Sequence, residues 1–95
     1  MDKIHPTSLE TTVPSEELGR QIMALRYDLV LEVLKGMLQE CNRQAAGDAE
    51  VGRERMSERL KAVSLTIEDL IDDMSVVVRL CRPYIEKERA DGDHI

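Results

Sequence analysis

The sequence predicts an all-α protein that folds as an antiparallel helical hairpin. Apolar residues recur at alternating spacings of three and four along two long stretches of the chain, as they do on the packed faces of helices. The two stretches flank a short segment that contains Gly47, and glycine is common just past a helix end. The chain has no Phe and no Trp, so the core must be built from aliphatic side chains and Met.

The first helix is predicted over about 15–46. Ser15 is a suitable N-cap, and Glu16 and Glu17 fall in the first turn, where the helix dipole favours acidic side chains. The preceding residues, 1–14, contain two prolines and no apolar period. They are predicted to form a flexible N-terminal arm.

The second helix is predicted over about 48–82, with Asp48 as its N-cap. Pro83 disfavours helical geometry at the preceding residue, so a kink is expected there, with a short continuation to about residue 89. The predicted organisation is therefore an arm, a hairpin over 15–89 with its turn at 47–49, and a tail over 90–95.

The strongest pattern is the apolar seam of the second helix, which continues beyond its core residues through Val77, Cys81 and Tyr84. Its strict alternation of spacings is typical of coiled-coil packing. The core of the hairpin is predicted to consist of Met23, Tyr27, Val30, Leu34, Met37 and Cys41 from the first helix and Met56, Leu60, Val63, Ile67, Leu70 and Met74 from the second.

The two seams match each other as antiparallel partners. Residues that face each other across an antiparallel hairpin have numbers that add to a constant, and pairing Cys41 with Met56 sets that constant at 97. Every other seam residue of the first helix then meets an apolar residue, down to Met23 with Met74. The same register places Cys81 roughly 37 Å from Cys41, at ~1.5 Å per residue. An internal disulfide is therefore excluded, and both cysteines are expected to be reduced.

A second set of apolar residues lies outside this seam. One hairpin cannot bury both sides of a helix, and exposed stripes of this size are unusual on soluble monomers. A homodimer that closes a four-helix bundle is therefore predicted, with a different protein or a ligand on this face as the alternative. The predicted dimer or partner interface consists of Leu18, Ile22, Leu25, Leu29, Val33, Ile71, Val78, Leu80 and Ile85.

Charge and hydropathy exclude several classes of function. The chain carries 13 Lys and Arg against 19 Asp and Glu, a net charge of −6, and its basic residues are interleaved with acidic ones. Nucleic-acid binding is not expected, because it depends on clustered positive charge. No segment has the ~20 apolar residues of a membrane span, and no signal peptide is visible, so a cytoplasmic protein is expected.

An acidic cluster within "EDLIDDMSVVVRLC" is the strongest candidate for chemistry. Carboxylates one helical turn apart can hold Mg²⁺ together with substrate phosphates. "SEELGRQ" at 15–21 is similar to the first carboxylate step of the all-α nucleotide pyrophosphohydrolases, except that residue 20 is Arg. The resemblance implies, as an alternative, a metal-dependent hydrolase whose metal ligands would be Glu68, Asp69, Asp72 and Asp73.

The predicted function is instead that of a non-enzymatic helical protein. In the heptad register the four carboxylates fall outside the seam, on the side that faces water. No nucleophile elbow, glycine-rich phosphate loop or closely spaced pair of Cys or His occurs, so no catalytic residue and no cofactor is predicted. The chain is expected to act through protein–protein contacts, as an adaptor, regulator or assembly factor.

Overall fold

The computed structural model describes residue 6 and residues 12–92, with side chains described as far as Pro83. Helices account for nearly all of this part, and it contains no strand. In chain order the helices are α1, Ser15–Met23, α2, Tyr27–Glu50, and α3, Glu54–Gly92. Helix α2 packs along α3, and the prediction of an all-helical chain is confirmed. Most of the predicted arm and the last three residues lie outside the described part.

Two helices, α1 and α2, replace the single first helix that the sequence predicts. The chain leaves helical geometry at Ala24–Arg26, where Arg26 is extended with φ −53° and ψ 144°. The carbonyl of Arg26 then accepts from the amide of Val30 at 3.1 Å, which starts α2. Neither Pro nor Gly marks this break, so the sequence gives no ordinary signal for it.

The start of α1 also differs from the prediction. Ser15 is the first residue of the helix, and Pro14 occupies the N-cap position without a side-chain cap bond. The carbonyl of Pro14 accepts the first helical hydrogen bond, from Leu18 N at 2.9 Å. Glu16 and Glu17 lie in the first turn, where the helix dipole favours them.

The turn between α2 and α3 lies at 51–53 rather than at the predicted 47–49. Gly52 has φ +82° and follows the C-cap residue Val51, so it supplies the left-handed conformation that ends many helices. Gly52 N bonds to Ala49 O at 3.2 Å and Arg53 N bonds to Asp48 O at 2.8 Å. These two bonds form a Schellman motif.

Asp48 is therefore a residue of α2 and not the N-cap of the next helix. Its side chain is buried, and a carboxylate oxygen lies 3.5 Å from Arg53 Nη1 across the turn. Helix α3 begins at Glu54, and Ser57 N donates to Arg53 O at 2.9 Å. At its other end α3 continues through Pro83 to Gly92, so the helix does not stop at 82.

The contacts between α2 and α3 run in the order of an antiparallel hairpin. Cys41 Sγ donates to Leu60 O at 3.3 Å, and Ser57 Oγ donates to Ala45 O at 2.8 Å. The residue numbers of these pairs add to 101 and 102, against the predicted 97. The register therefore differs by about one helical turn, because α2 continues past Gly47 to Glu50.

Three parallel rows of residues on α3, each with a spacing of seven, describe the packed face. The Val63 row is Met56, Val63, Leu70 and Val77; the Ile67 row is Leu60, Ile67, Met74 and Cys81; the Ser64 row is Ser57, Ser64, Ile71 and Val78. The sequence predicts a seam made of the Val63 and Ile67 rows. The structure packs the Ile67 and Ser64 rows against α2, and it leaves Met56, Val63 and Leu70 exposed.

The first helical stretch shows a corresponding difference. Of the predicted core residues, Val30 is buried, while Leu34 and Cys41 are half-buried. Met23, Tyr27 and Met37 are exposed. The residues that complete the seam of α2 towards the turn are Ala45 and Asp48, both buried.

Small side chains explain why the seam is rotated. Ser57 Oγ reaches the backbone carbonyl of Ala45 on the opposite helix, which requires the two helices to approach closely. A Met or Leu at either position would hold the helices apart. Hydropathy favours burial of the Val63 row, whereas small side-chain size favours burial of the Ser64 row. In this hairpin the row with the smaller side chains is the one that packs against α2.

The molecule is elongated. Its radius of gyration is 17.0 Å, against about 12 Å for a compact domain of this length. Helix α3 is much longer than α2, so its C-terminal part extends beyond the start of α2. Helix α1 approaches α2 and makes no close approach to α3 within the described residues.

Candidate functional site

The main candidate for a binding site is an exposed apolar surface on one side of the hairpin. We call it the apolar face and define it by Met37 of α2 and Met56, Val63 and Leu70 of α3. These side chains are between 44% and 55% exposed, although all four belong to the predicted core. An apolar group of this size facing water marks a surface on which something else can pack.

Helical geometry explains how the face arises. Residues seven apart lie on the same side of a helix, so the Val63 row forms one line along α3. The row is next to the packed seam but outside it, because α2 sits over the Ile67 and Ser64 rows. Val77, the last member of the row, is half-buried.

An open groove of about 450 Å³ runs along the apolar face between the two helices. Its lining is mostly apolar and consists of Gly36, Met37, Glu40, Cys41, Gln44, Val63 and Ile67. Gly36 is exposed, and a Cβ atom added to it would meet nothing within 4 Å. No contact inside the described chain therefore requires glycine at this position.

One ion pair borders the groove. Arg43 Nη2 donates to Glu40 Oε1 at 2.5 Å, and Arg43 Nε donates to Glu40 Oε2 at 2.8 Å. This hydrogen bonding, together with the negative charge of Glu40, raises the pKa of Arg43 above its ordinary value. Gln44 also donates to Glu40, at 3.1 Å, so the polar edge of the groove is held by local bonds along α2.

The predicted dimer or partner interface does not form one continuous stripe. Leu18 and Ile22 lie on α1, and the chain break separates them from Leu29 and Val33 on α2; all four are half-buried. Leu25 is exposed at the break itself.

The α3 members of that predicted interface have different positions. Ile71 and Val78 are half-buried members of the Ser64 row, and Val78 also lines an open groove. Leu80 is exposed on the C-terminal part of α3. Ile85 lies outside the residues whose side chains are described.

The acidic cluster lies on the water-facing side of α3. Glu68, Asp69, Asp72 and Asp73 are all exposed. Within the described residues, no three His, Cys, Asp or Glu side chains are grouped so that they could hold a metal ion. The cluster is thus a row of separate carboxylates and not a formed coordination site.

A second groove, of about 610 Å³, opens on the other side of the hairpin. Its lining mixes apolar residues with both charges and consists of Leu31, Asp72, Ser75, Val76, Val78, Arg79 and Arg82. The two sides of the hairpin therefore differ in character, and the predominantly apolar groove lies on the apolar face.

Both cysteines have free thiols and are half-buried. Cys41 donates to the carbonyl of Leu60, and Cys81 lies 21 residues further along α3, roughly 32 Å away. Their separation agrees with the expectation that no internal disulfide forms.

Sequence reasoning missed Ala45, Ser57 and Ser64, which are buried where α2 and α3 meet. The signal that could have found them is their spacing. Ser57 and Ser64 are seven apart and in phase with Ile71 and Val78, so four residues already formed a row parallel to the predicted seam.

The described residues form a small all-helical hairpin with an exposed apolar face. No helix in the described part of the chain has the length and apolar character needed to cross a membrane. No protein-family model, no curated protein and no solved structure matches this chain.

Proposed function

We propose that this chain is a non-enzymatic interaction protein, an adaptor, regulator or assembly factor, that works as a homodimeric helical bundle. The observation that carries the proposal is the apolar face, with Met37, Met56, Val63 and Leu70 exposed together. Full burial of such a side chain is worth about 1.5–3 kcal/mol, and these four are already about half-buried, so covering the remaining apolar area favours association by a part of that amount for each residue.

The small internal core supports the same proposal. The buried apolar residues of the described chain are Val30, Ala45 and Met74. A chain of this length buries a smaller fraction of its surface than a larger domain does, and association with another chain adds to the buried area. Two hairpins that cover each other's apolar faces form a four-helix bundle.

The acidic character of the chain suits regulated contacts with proteins more than catalysis. The four carboxylates of the acidic cluster are exposed and spread along one helix, where they can attract a basic partner. We therefore place recognition on the surfaces of the bundle and propose no catalytic residue and no cofactor.

Light scattering coupled to size exclusion tests the dimer directly. At micromolar concentration the chain is expected to elute with about twice its mass of 10.8 kDa. A helical monomer would contradict the homodimer and would direct the search to a different protein that covers the apolar face.

A further inference from the structure

We infer that the dimer forms through α3, with the Val63 rows of two copies packed antiparallel about a two-fold axis beside Thr66. This inference rests on the proposed homodimer and adds its geometry. Three features of the described residues support it. They are the even spacing of apolar residues in the Val63 row, the opposite charges along the edge of that row, and the height of Gly36 along the hairpin.

The Val63 row is apolar along its whole length and is evenly spaced. Its midpoint falls between Thr66 and Ile67, halfway between Val63 and Leu70. If two copies meet antiparallel about this midpoint, Val63 of one faces Leu70 of the other, and Met56 faces Val77. Each exposed member of the row then gains an apolar neighbour, as a symmetric two-fold interface requires.

A row of polar residues follows the outer edge of the Val63 row. Arg59, Thr66 and Asp73 lie three residues after one row member and four residues before the next, so they are its neighbours on the helix surface. All three are exposed. Within the described residues, neither Arg59 nor Asp73 forms an ion pair.

These edge charges select the antiparallel direction. Arg59 and Asp73 are equally distant from Thr66, which is within half a residue of the midpoint of the Val63 row, so the two-fold axis brings Arg59 of each copy close to Asp73 of the other. A parallel pairing would instead place Arg59 beside Arg59 and Asp73 beside Asp73, which is destabilising. The apolar row alone does not distinguish the antiparallel pairing from the parallel one, whereas the edge charges do.

Helix α2 agrees with the same axis. The hydrogen-bonded pairs between α2 and α3 have numbers that add to 101 and 102, so Thr66 is level with residues 35 and 36. Gly36 thus lies at the height of the axis and lines the groove of the apolar face. A mid-helix glycine costs about 1 kcal/mol relative to Ala. In the proposed dimer Gly36 allows the second copy to approach closely, whereas no contact in the described chain requires a glycine at this position.

The first test compares two matched charge insertions in the full chain by light scattering and sedimentation. Val63→Glu is expected to raise the dimer dissociation constant by at least about 100-fold, because two apolar contacts are lost per dimer. Leu65→Glu is the control, since Leu65 is 62% exposed and outside the Val63 row. It is expected to leave the dimer intact. Circular dichroism establishes that both variants remain helical.

The second test reverses the edge charges at low salt, where exposed ion pairs are least screened. Arg59→Asp and Asp73→Arg are each expected to weaken the dimer by roughly tenfold, since two pairs turn repulsive. The double variant restores opposite charges and is expected to recover most of the affinity. These substitutions affect exposed residues, so they remain informative if Val63→Glu unfolds the chain.

The outcomes separate this inference from the proposed function. A monomeric wild-type chain overturns the proposed homodimer. A dimer that Val63→Glu leaves intact overturns only the interface. If Val63→Glu weakens the dimer but the double charge reversal does not recover the affinity that the single reversals lose, the antiparallel pairing is overturned, and packing of α3 on α2 of the second copy then replaces it.

Discussion

Two buried serines on α3 face the same helix but differ in their hydrogen bonding. Ser57 Oγ donates to the carbonyl of Ala45 at 2.8 Å. Ser64 is only 4% exposed, and its hydroxyl has no hydrogen-bond partner within the described residues. The Leu60 carbonyl, one turn earlier, accepts from Cys41 Sγ. The small side chain of Ser64 therefore allows the helices to pack closely, but its hydroxyl loses its hydrogen bonds to water and gains none in return.

Replacement of each serine by alanine should have opposite effects. Ser64→Ala is expected to raise the free energy of unfolding by about 1 kcal/mol, because it removes an unsatisfied buried hydroxyl. Ser57→Ala is expected to lower it by up to about 1 kcal/mol, because a hydrogen bond between the helices is lost. Urea unfolding at one fixed protein concentration measures both values. Equal shifts in the same direction would contradict this account of the seam.

At the scale of the helices, the position of the turn decides the register of the whole hairpin. The sequence predicts a helix end at Gly47, and a second glycine, Gly52, follows five residues later. Only Gly52 has a positive φ, and the Schellman bonds form around it. Gly47 lies inside α2, where a Cβ atom would meet nothing within 4 Å.

The two glycines should therefore respond differently to alanine. Gly52→Ala forces a left-handed backbone on a residue with a Cβ and is expected to destabilise the protein by about 1–2 kcal/mol. Gly47→Ala improves helix propensity in open space and is expected to stabilise it by roughly 0.5–1 kcal/mol. Thermal unfolding followed by circular dichroism measures the pair. If Gly47→Ala instead destabilised the protein and Gly52→Ala stabilised it, the turn would lie at 47–49.

The helical class and the antiparallel order of α2 and α3 follow from periodicity, because apolar spacing reports the helix directly. The choice of packed face does not follow from periodicity. On α3 three neighbouring rows share the same spacing, and hydropathy ranks Val63 and Leu70 above Ser57 and Ser64. Close packing of the two helices favours the smaller residues at the seam instead, which leaves the larger apolar residues exposed. The candidate site therefore consists of residues that the sequence assigns to the core.

The break at Ala24–Arg26 was equally invisible, for a different reason. Helix ends are usually marked by Gly, Pro or a capping side chain, and none occurs here. An ion pair between Arg26 Nε and Asp28 Oδ1, at 3.3 Å, spans the junction. A local ion pair of this kind leaves no periodic trace in a sequence.

At the scale of the whole molecule, stability and association are linked. The hairpin is long and thin, and its seam includes buried Ser57, Ser64 and Asp48, which contribute less hydrophobic stabilisation than aliphatic residues. The apolar face remains uncovered within the hairpin. If a second copy covers it, much of the folding free energy arises between chains rather than within one.

The melting temperature should therefore depend on protein concentration. Mass action stabilises a folded dimer relative to unfolded chains, so a hundredfold increase in concentration is expected to raise Tm by roughly 5–10 °C. Differential scanning calorimetry from micromolar to hundreds of micromolar protein measures this shift. Val63→Glu is the matched control, because a helical monomer should melt at a lower temperature that does not change with concentration. A constant Tm for the wild-type chain, together with the mass of a monomer at every concentration, would show that the contacts between α2 and α3 are enough to hold the fold.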